Sequence, residues 1–233
     1  MERFTREIAL IGQEAFEKLT HSRVAVFGIG GVGGHCAEAL ARAGIGRIDL
    51  FDHDTVSVSN INRQLIALDS TVGKSKVQAM AERIRDINPD CDVRALEIFY
   101  DAGTATEYPL SEYDYIADCI DTVTSKMLLI TSAKEANVPI LCALGTGNKL
   151  HPEMLEISDI QKTETCPLAR ILRKKCREAG IEHVKVVWSR EIPAHLCVEG
   201  GESGRHAPAS VSFVPPVAGM LMAGEIIRSL AGL

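Results

Sequence analysis

The stretch Arg23-Val-Ala-Val-Phe-Gly28-Ile-Gly30-Gly31-Val-Gly33 decides the fold. Its first five residues form a short apolar run rich in valine, which predicts a buried strand. The glycines predict a tight turn, and the small residues from Gly31 to Ala43 predict a helix. This order places backbone N–H groups and the positive end of a helix where a phosphate can bind. The stretch therefore indicates a nucleotide site without choosing the nucleotide.

Strand and helix patterns alternate along the first two-thirds of the chain. The predicted strands are 23–27, 47–51, 92–99, 113–118 and 139–143, and the predicted helices are 31–43, 74–87 and 125–136. Such alternation predicts an α/β fold, with a Rossmann-like, mostly parallel sheet flanked by helices.

The last third differs in character, because the alternation stops. It predicts a C-terminal extension with strands at 154–158 and 185–189, helices at 167–179 and 217–230, and a surface loop at 199–206. Pro216 is expected to open the last helix and Gly232 to end it. We expect a single domain, 1–233, with a nucleotide-binding core at 1–145 and a substrate-side extension at 146–233.

Composition limits the cellular setting and the metal chemistry. The chain has 46% hydrophobic and 24% charged residues, a formal charge of −6, and charges near its N-terminus, so we expect a cytoplasmic protein without a membrane partner. The last apolar helix contains Glu225 and Arg228, which oppose insertion into a bilayer. Seven cysteines without a C-x-x-C pair make a structural zinc site unexpected.

An acidic residue follows the second predicted strand. Asp52 lies nineteen residues after Gly33, where a carboxylate can accept hydrogen bonds from ribose hydroxyls. The glycines and Asp52 fit NAD, FAD and ATP equally. The next segment, Asp52-His-Asp54-Thr-Val-Ser-Val-Ser-Asn60-Ile-Asn-Arg63-Gln64, is too polar and specific for a simple turn.

At this segment the sequence resembles the superfamily of ubiquitin-activating enzymes and molybdopterin-synthase adenylyltransferases. The resemblance continues in Arg3-Phe-Thr-Arg6-Glu, Val72-Gly73-Lys74-Ser-Lys76, Asn88-Pro89 and Cys119-Ile-Asp121-Thr. It implies an ATP-dependent enzyme that joins a carboxylate to AMP and releases pyrophosphate. The implied nucleotide contacts are Gly28, Gly30, Gly31, Gly33, Asp52, Asp54, Asn60, Arg63, Gln64, Lys76 and Asp121.

The resemblance also implies catalytic roles. Arg63 and Lys76 would contact the phosphates, and Asp121 would bind Mg²⁺, a hard cation that prefers carboxylate oxygen. Arg6 would reach the phosphates of the neighbouring subunit in a homodimer. Two structural alternatives remain: Asp121 could cap the next helix, and Arg6 could pair with an acidic residue on the surface.

Three later regions resemble one subfamily, the tRNA threonylcarbamoyladenosine dehydratases. They are Lys162–Arg173, Val187–Pro193 and Ser212–Gly219. This resemblance implies ATP-dependent activation of the threonyl carboxylate of the modified adenosine at position 37 of tRNA, and closure of that group into a ring. The implied partner is tRNA carrying this group, and a cysteine desulfurase or sulfur acceptor is a possible second partner.

A basic helix face is the candidate RNA contact. Arg170, Arg173, Lys174 and Arg177 are spaced to share one face of the predicted helix at 167–179. An ordinary solvated face is the alternative. Cys166 and Cys197 are open between thiol chemistry and no chemical role.

Three other functions remain as alternatives. The activated acid could be the C-terminal glycine of a sulfur-carrier or ubiquitin-like protein, which keeps the adenylation and changes the substrate. An NAD(P) dehydrogenase would use the same glycines and Asp52. It gives no reason for the joint presence of Asn60, Arg63, Lys76 and Asp121. A non-catalytic nucleotide sensor would retain every motif without turnover.

Overall fold

The computed structural model describes residues 2–194, 196–198 and 207–233, with the side chains of 197, 198 and 207 excluded. The loop predicted at 199–206 lies outside these residues. The main feature of the fold is a seven-stranded sheet in the order β3-β2-β1-β4-β5-β7-β6. The strands are β1 Arg23–Phe27, β2 Arg47–Phe51, β3 Asp92–Leu96, β4 Tyr115–Asp118, β5 Ile140–Ala143, β6 Leu155–Asp159 and β7 Lys185–Ser189.

All neighbouring strands of this sheet are parallel except β6 and β7. The α/β fold and the mostly parallel sheet are therefore confirmed. The extension is continuous with the core, because β7 pairs with β5 in register Leu141 with Lys185. Two short strands, β8 Cys197–Val198 and β9 Ala207–Pro208, form a separate antiparallel pair.

Helices cover both faces of the sheet. They are α1 Thr5–Ile11, α2 Gln13–His21, α3 Gly33–Arg42, α4 Lys76–Ile87, α5 Val123–Glu135, α6 Pro167–Glu178 and α7 Val214–Ala231. Helices α2, α3, α4 and α7 share one hydrophobic core, which includes the buried Val24 and Val26 of β1. Helices α5 and α6 share the other core with Ala25 and Phe27, because successive strand residues point to opposite faces.

Several element boundaries differ from the sequence prediction. Strand β3 ends at Leu96 instead of residue 99, and α7 begins at Val214, before both prolines of its first turn. Gly232 ends α7 in the left-handed conformation, with φ 76°, as expected of a C-terminal glycine. Helices α1 and α2 were not predicted.

The chain leaves β1 toward β2 on one side and later enters β4 on the other side of β1. In open parallel sheets such a reversal of strand order creates a crevice at the carboxyl ends of the strands. The glycine turn after β1 and the Cys119–Asp121 loop after β4 both lie at this point. Among the described residues, no helix has the length and apolar character needed to cross a membrane.

Candidate nucleotide-binding site

A cavity of about 390 Å³ opens at the crevice between β1 and β4. It gathers all but one of the nucleotide contacts implied by the sequence: Gly28, Gly30, Gly31, Asp52, Asp54, Asn60, Arg63, Gln64, Lys76 and Asp121. These residues come from five separate segments, and parallel strands bring the segments together because their carboxyl ends share one edge.

Gly33 is the exception, because it does not line the cavity. A Cβ atom there would lie 1.8 Å from the carbonyl oxygen of Gly28, so this glycine lets α3 pack against the turn. Gly28 itself has φ 87°, and its Cβ would lie 2.8 Å from the carbonyl oxygen of Cys119. Gly33 therefore lets the turn close tightly, and it is not among the residues that line the cavity.

Asp52 is positioned by backbone amides. Its carboxylate accepts hydrogen bonds from the amide of Ile29 at 2.6 Å and from the amide of Asp54 at 2.9 Å. Because the two bonds use different oxygens, each oxygen retains a free lone pair. Asp52 is buried in the cavity wall and can accept hydrogen bonds from a ribose.

Lys76 is the first residue of α4, and its side chain is only 5% exposed. Its Nζ donates to Oδ2 of Asp54 at 2.6 Å. A buried ammonium needs such a partner, and the pair faces the cavity. The carboxylate of Asp54 therefore holds the ammonium group of Lys76 in the cavity wall.

Asn60, Arg63 and Gln64 lie on a short turn between β2 and α4. Oδ1 of Asn60 accepts from the amide of Ser57 at 3.1 Å, and Nη1 of Arg63 donates to the carbonyl of Ser59 at 2.9 Å. Oε1 of Gln64 is buried and has no hydrogen-bond partner among the described residues. An unpaired buried acceptor in a cavity wall fits a ligand that brings a hydrogen-bond donor.

Asp121 is exposed and lines the cavity. Its Oδ1 accepts a long hydrogen bond of 3.4 Å from the hydroxyl of Thr122. The helix-cap interpretation is wrong, because Thr122 is the N-cap residue of α5 and no side chain bonds to the helix amides there. Asp121 is therefore available to a cation in the cavity.

The sequence prediction missed a buried ion pair beneath this loop. Nζ of Lys126 lies 2.7 Å from Oδ2 of Asp118, and both side chains are fully buried. Burial alone would lower the pKa of Lys126, but the attraction of Asp118 raises it. Oδ1 of Asp118 accepts from the amide of Ile120 at 3.1 Å, so the pair braces the loop that carries Asp121.

The extension also contributes to the cavity. Thr146, Gly147, Pro208, Ser210 and Pro215 line it, and none of them was predicted. A Cβ on Gly31 would lie 3.1 Å from the Cβ of Pro215, which brings the start of α7 against the glycine turn. In the sequence, the Pro-Pro pair indicates the start of a helix, but it does not indicate that Pro215 contacts Gly31.

Other candidate residues lie away from the cavity. Arg6 is exposed on α1, and the cations of α6 are not among the lining residues. Arg173 departs from the predicted free face: Nη1 donates to Oγ1 of Thr163 at 2.6 Å and also to its carbonyl oxygen. Arg173 is thus engaged within the fold, while Arg170 and Arg177 are exposed and Lys174 pairs loosely with Glu178 at 3.7 Å.

Two further features concern thiols and metals. Cys166 is 2% exposed, so its thiol is not accessible in this conformation, and the side chain of Cys197 lies outside the described residues. Within the described chain, three or more potential ligand groups cluster only at Asp52, His53 and Asp54. Asp121 stands apart from that cluster.

Comparison with known proteins decides the family. The model of the ThiF family matches residues 4–233. The chain belongs to the ThiF family. A ThiF-family relative, the tRNA threonylcarbamoyladenosine dehydratase of Bacillus subtilis, is 41% identical over 241 residues, which covers 99% of this chain and 95% of the relative. The molybdopterin-synthase adenylyltransferase of Escherichia coli is 31% identical over 186 residues, covering 78% of this chain and 74% of that protein.

A solved structure resembles this ThiF-family chain along its whole length. The E. coli tRNA N6-threonylcarbamoyladenosine dehydratase in complex with ATP has a TM-score of 0.90 and 33% identity, with 99% of this chain and 94% of that chain covered. The structure of the same E. coli protein in complex with AMP has a TM-score of 0.91.

Proposed function

We propose that this protein is an ATP-dependent tRNA threonylcarbamoyladenosine dehydratase. It activates the threonyl carboxylate of the modified adenosine at position 37 of tRNA and closes that group into a ring. The observation that carries the proposal is that Asp52, Arg63, Lys76 and Asp121 line one shared cavity. The full-length similarity to the dehydratases supports the choice of acid.

The chemistry has two displacements. A carboxylate oxygen attacks the α-phosphorus of ATP and pyrophosphate leaves. The carbamoyl oxygen of the same modified base then attacks the activated carbonyl carbon, AMP leaves with the carboxylate oxygen, and the carbamoyl nitrogen loses a proton. The sum is loss of one water from the base, and no nucleophile from the protein is required.

The side chains of the cavity suit the first displacement. Negative charge builds on the phosphates as pyrophosphate departs, and fixed cations in a partly closed site stabilise that charge. Lys76 is positioned by Asp54, and Arg63 lines the same cavity. Asp52 would hold the ribose, and the glycine turn leaves room for the phosphates to approach the backbone.

Mg²⁺ would be held by Asp121. The carboxylate is exposed to the cavity and offers hard oxygen ligands, and the remaining ligands would be phosphate oxygens and water. A bound Mg²⁺ neutralises phosphate charge. Asp118 and Lys126 keep the Asp121 loop in place from below.

The tRNA would contact α6. Arg170, Lys174 and Arg177 project from its exposed side, and phosphate contacts by such cations supply most of the affinity in nucleic-acid binding. Arg173 is left out of this surface because its guanidinium already bonds to Thr163. A cytoplasmic location, which the composition predicts, fits a tRNA substrate.

A homodimer would complete the site through Arg6. If Arg6 acts across the interface, a protein with Arg6→Ala and a protein with Lys76→Met each lose activity, and mixed dimers regain one intact site. Co-expression of the two variants should then restore about a quarter of the wild-type rate, since half the dimers are mixed and each has one working site. No recovery in purified mixed dimers would reject the role across the interface.

The alternative substrate is the C-terminal glycine of a sulfur-carrier protein. It keeps the same cavity chemistry, and a cysteine desulfurase or sulfur acceptor would then be a natural partner. The buried position of Cys166 does not favour a sulfur relay through that residue.

The test of the proposal is the product. Purified protein, ATP and Mg²⁺ are incubated with tRNA that carries the threonylcarbamoyl group, and the nucleosides are analysed by mass spectrometry. We expect the modified adenosine to lose one water and AMP to appear in equal amount. An unchanged nucleoside, under conditions in which a known dehydratase converts it, would reject the proposal.

A further inference from the structure

Asn148 joins three separated segments of the chain. It follows the cavity loop Gly145–Gly147 and has φ 58°, the left-handed conformation. Its amide donates to the carbonyl of Ala209 at 2.7 Å, and its carbonyl accepts from the amide of Ala194 at 2.9 Å. The backbone of Asn148 therefore links the loop after β5 to two later parts of the chain, one at Ala194 and one at Ala209.

The side chain of Asn148 adds two hydrogen bonds to the same two parts of the chain. Its Oδ1 accepts from the amide of Ala209 at 2.8 Å, and its Nδ2 donates to the carbonyl of Leu196 at 2.8 Å. An amide side chain is suited to this position because it offers a donor and an acceptor together. Asparagine also tolerates the left-handed conformation better than most residues.

Ser210, the residue after Ala209, is anchored to a different part of the sheet. The carbonyl of Ser210 accepts from Nδ2 of Asn62 at 3.0 Å, and Asn62 lies in the segment that follows β2. Strands β2 and β5 are separated by β1 and β4. The wall segment, residues 208–210, therefore connects loops from β5 and β2 above the strands that carry the glycine turn and Asp121.

Close packing accompanies these hydrogen bonds. Pro208 and Ser210 line the cavity. A Cβ on Gly147 would lie 2.8 Å from the Cβ of Pro208, so the wall segment lies directly on the loop that precedes Asn148. The cavity is thus bounded on this side by a segment whose position depends on Asn148 and Asn62.

We propose that Asn148 is a positioning residue that fixes the wall segment and thereby sets the affinity for the acid substrate. The residues assigned to the ATP of the same subunit lie between 28 and 121, and none of them hydrogen-bonds to Asn148. Pro208 and Ser210 of the wall segment line the same cavity, and we assign the space beside them to the acid. This inference rests on the proposed function.

The test compares three variants. Asn148→Gly keeps the left-handed backbone and its main-chain bonds but removes both side-chain bonds. Asn148→Asp keeps the acceptor for Ala209 and loses the donor to Leu196. Asn137→Gly is the matched control, because Asn137 also has a positive φ, 54°, in the turn between α5 and β5 and does not line the cavity.

Steady-state AMP release gives the first readout. We expect Asn148→Gly to raise KM for the modified tRNA about tenfold, with KM for ATP changed by less than about twofold. Asn148→Asp should fall between this variant and the wild type, and Asn137→Gly should match the wild type. Equal changes in both KM values, or none, would overturn the proposal.

Hydrogen exchange in peptides that cover 207–212 gives a second readout, which does not depend on the substrate. Loss of the bond from Ala209 to Asn148 should make this segment exchange faster in Asn148→Gly than in wild type and Asn137→Gly. Unchanged exchange would overturn the anchoring role. The two readouts separate the two claims. If Asn148→Gly exchanges faster but the wild-type protein shows no tRNA-dependent turnover, the anchoring role is supported and the proposed function is rejected.

Discussion

Nζ of Lys76 lies 2.6 Å from Oδ2 of Asp54 in the cavity wall. The lysine is almost fully buried and the aspartate is partly exposed, so the carboxylate compensates a charge that could not otherwise stay in the wall. In the proposed function, the phosphates of ATP would add negative charge beside a cation that is already in place. The relationship makes Lys76 a fixed electrostatic element of the site.

Replacement of Lys76 tests that role. Lys76→Met removes the charge with little change of side-chain length, and we expect the rate of pyrophosphate release to fall about 100-fold. The matched control is Lys74→Ala, an exposed lysine two residues away that does not line the cavity. Loss of the charge without loss of rate would remove Lys76 from the mechanism.

Asp121 should control the response to Mg²⁺. Asp121→Asn removes the anionic ligand, so we expect a higher Mg²⁺ concentration for half-maximal rate and a maximal rate lowered at least about tenfold. The rate is measured across a Mg²⁺ titration. Asp90→Asn, an exposed aspartate in the turn between α4 and β3, is the control. A titration curve identical to the wild type would contradict the assignment.

The exposed cations of α6 should act on tRNA and not on ATP. Replacing Arg170, Lys174 and Arg177 together by alanine should weaken tRNA binding and reduce its dependence on salt, because fewer phosphates are neutralised. Lys18→Ala serves as a control, since α2 packs in the core on the opposite face of the sheet. The outcome against the account is an unchanged dissociation constant and salt slope measured by filter binding.

Asp49 should contribute to stability at neutral pH and much less in acid. It is 1% exposed and accepts hydrogen bonds from Arg23 at 2.8 Å and from Tyr113 at 2.7 Å. Burial alone would raise the pKa of Asp49, but the hydrogen bonds, that of Arg94 first, lower it below the ordinary 3.8. Its stabilisation is therefore present above the unfolded pKa and is lost as pH falls through the folded one.

The corresponding variant is Asp49→Asn. We expect it to lose about 3 kcal/mol of unfolding free energy at pH 7, because Arg94 and Arg23 lose the buried carboxylate, and only Arg23 keeps another anionic partner, Glu112. The difference from wild type should narrow as pH falls below 3.8. Urea unfolding at several pH values measures this, with the exposed Asp86→Asn as control. A difference independent of pH would contradict the account.

The elements that the sequence predicted well are those with strong local patterns. The run from Arg23 to Phe27 is β1 residue for residue, and Lys185–Ser189 is β7. Strand β3 was predicted three residues too long, because Ile98 and Phe99 continue the apolar run but turn aside to line the cavity. Apolar character alone does not separate a strand residue from a cavity residue.

The parts of the site that the sequence did not predict depend on distant contacts. The guanidinium of Arg173 hydrogen-bonds to Thr163, which lies ten residues earlier and outside the helix. Residue spacing within the helix does not reveal this contact, so the prediction placed Arg173 on a free face. The wall segment reaches the cavity through hydrogen bonds to Asn62 and Asn148 across the sheet. No local pattern encodes such contacts, whereas the motifs after β1, β2 and β4 meet because parallel strands end at one edge.

The central claim is that the cavity activates the carboxylate of a modified tRNA base. The most direct measurement is pyrophosphate release from ATP and Mg²⁺ with three additions in parallel: tRNA carrying the threonylcarbamoyl group, the same tRNA without it, and a carrier protein that ends in Gly-Gly. We predict that only the modified tRNA stimulates release and that Asp121→Ala abolishes it. Stimulation by the carrier protein alone would contradict the account.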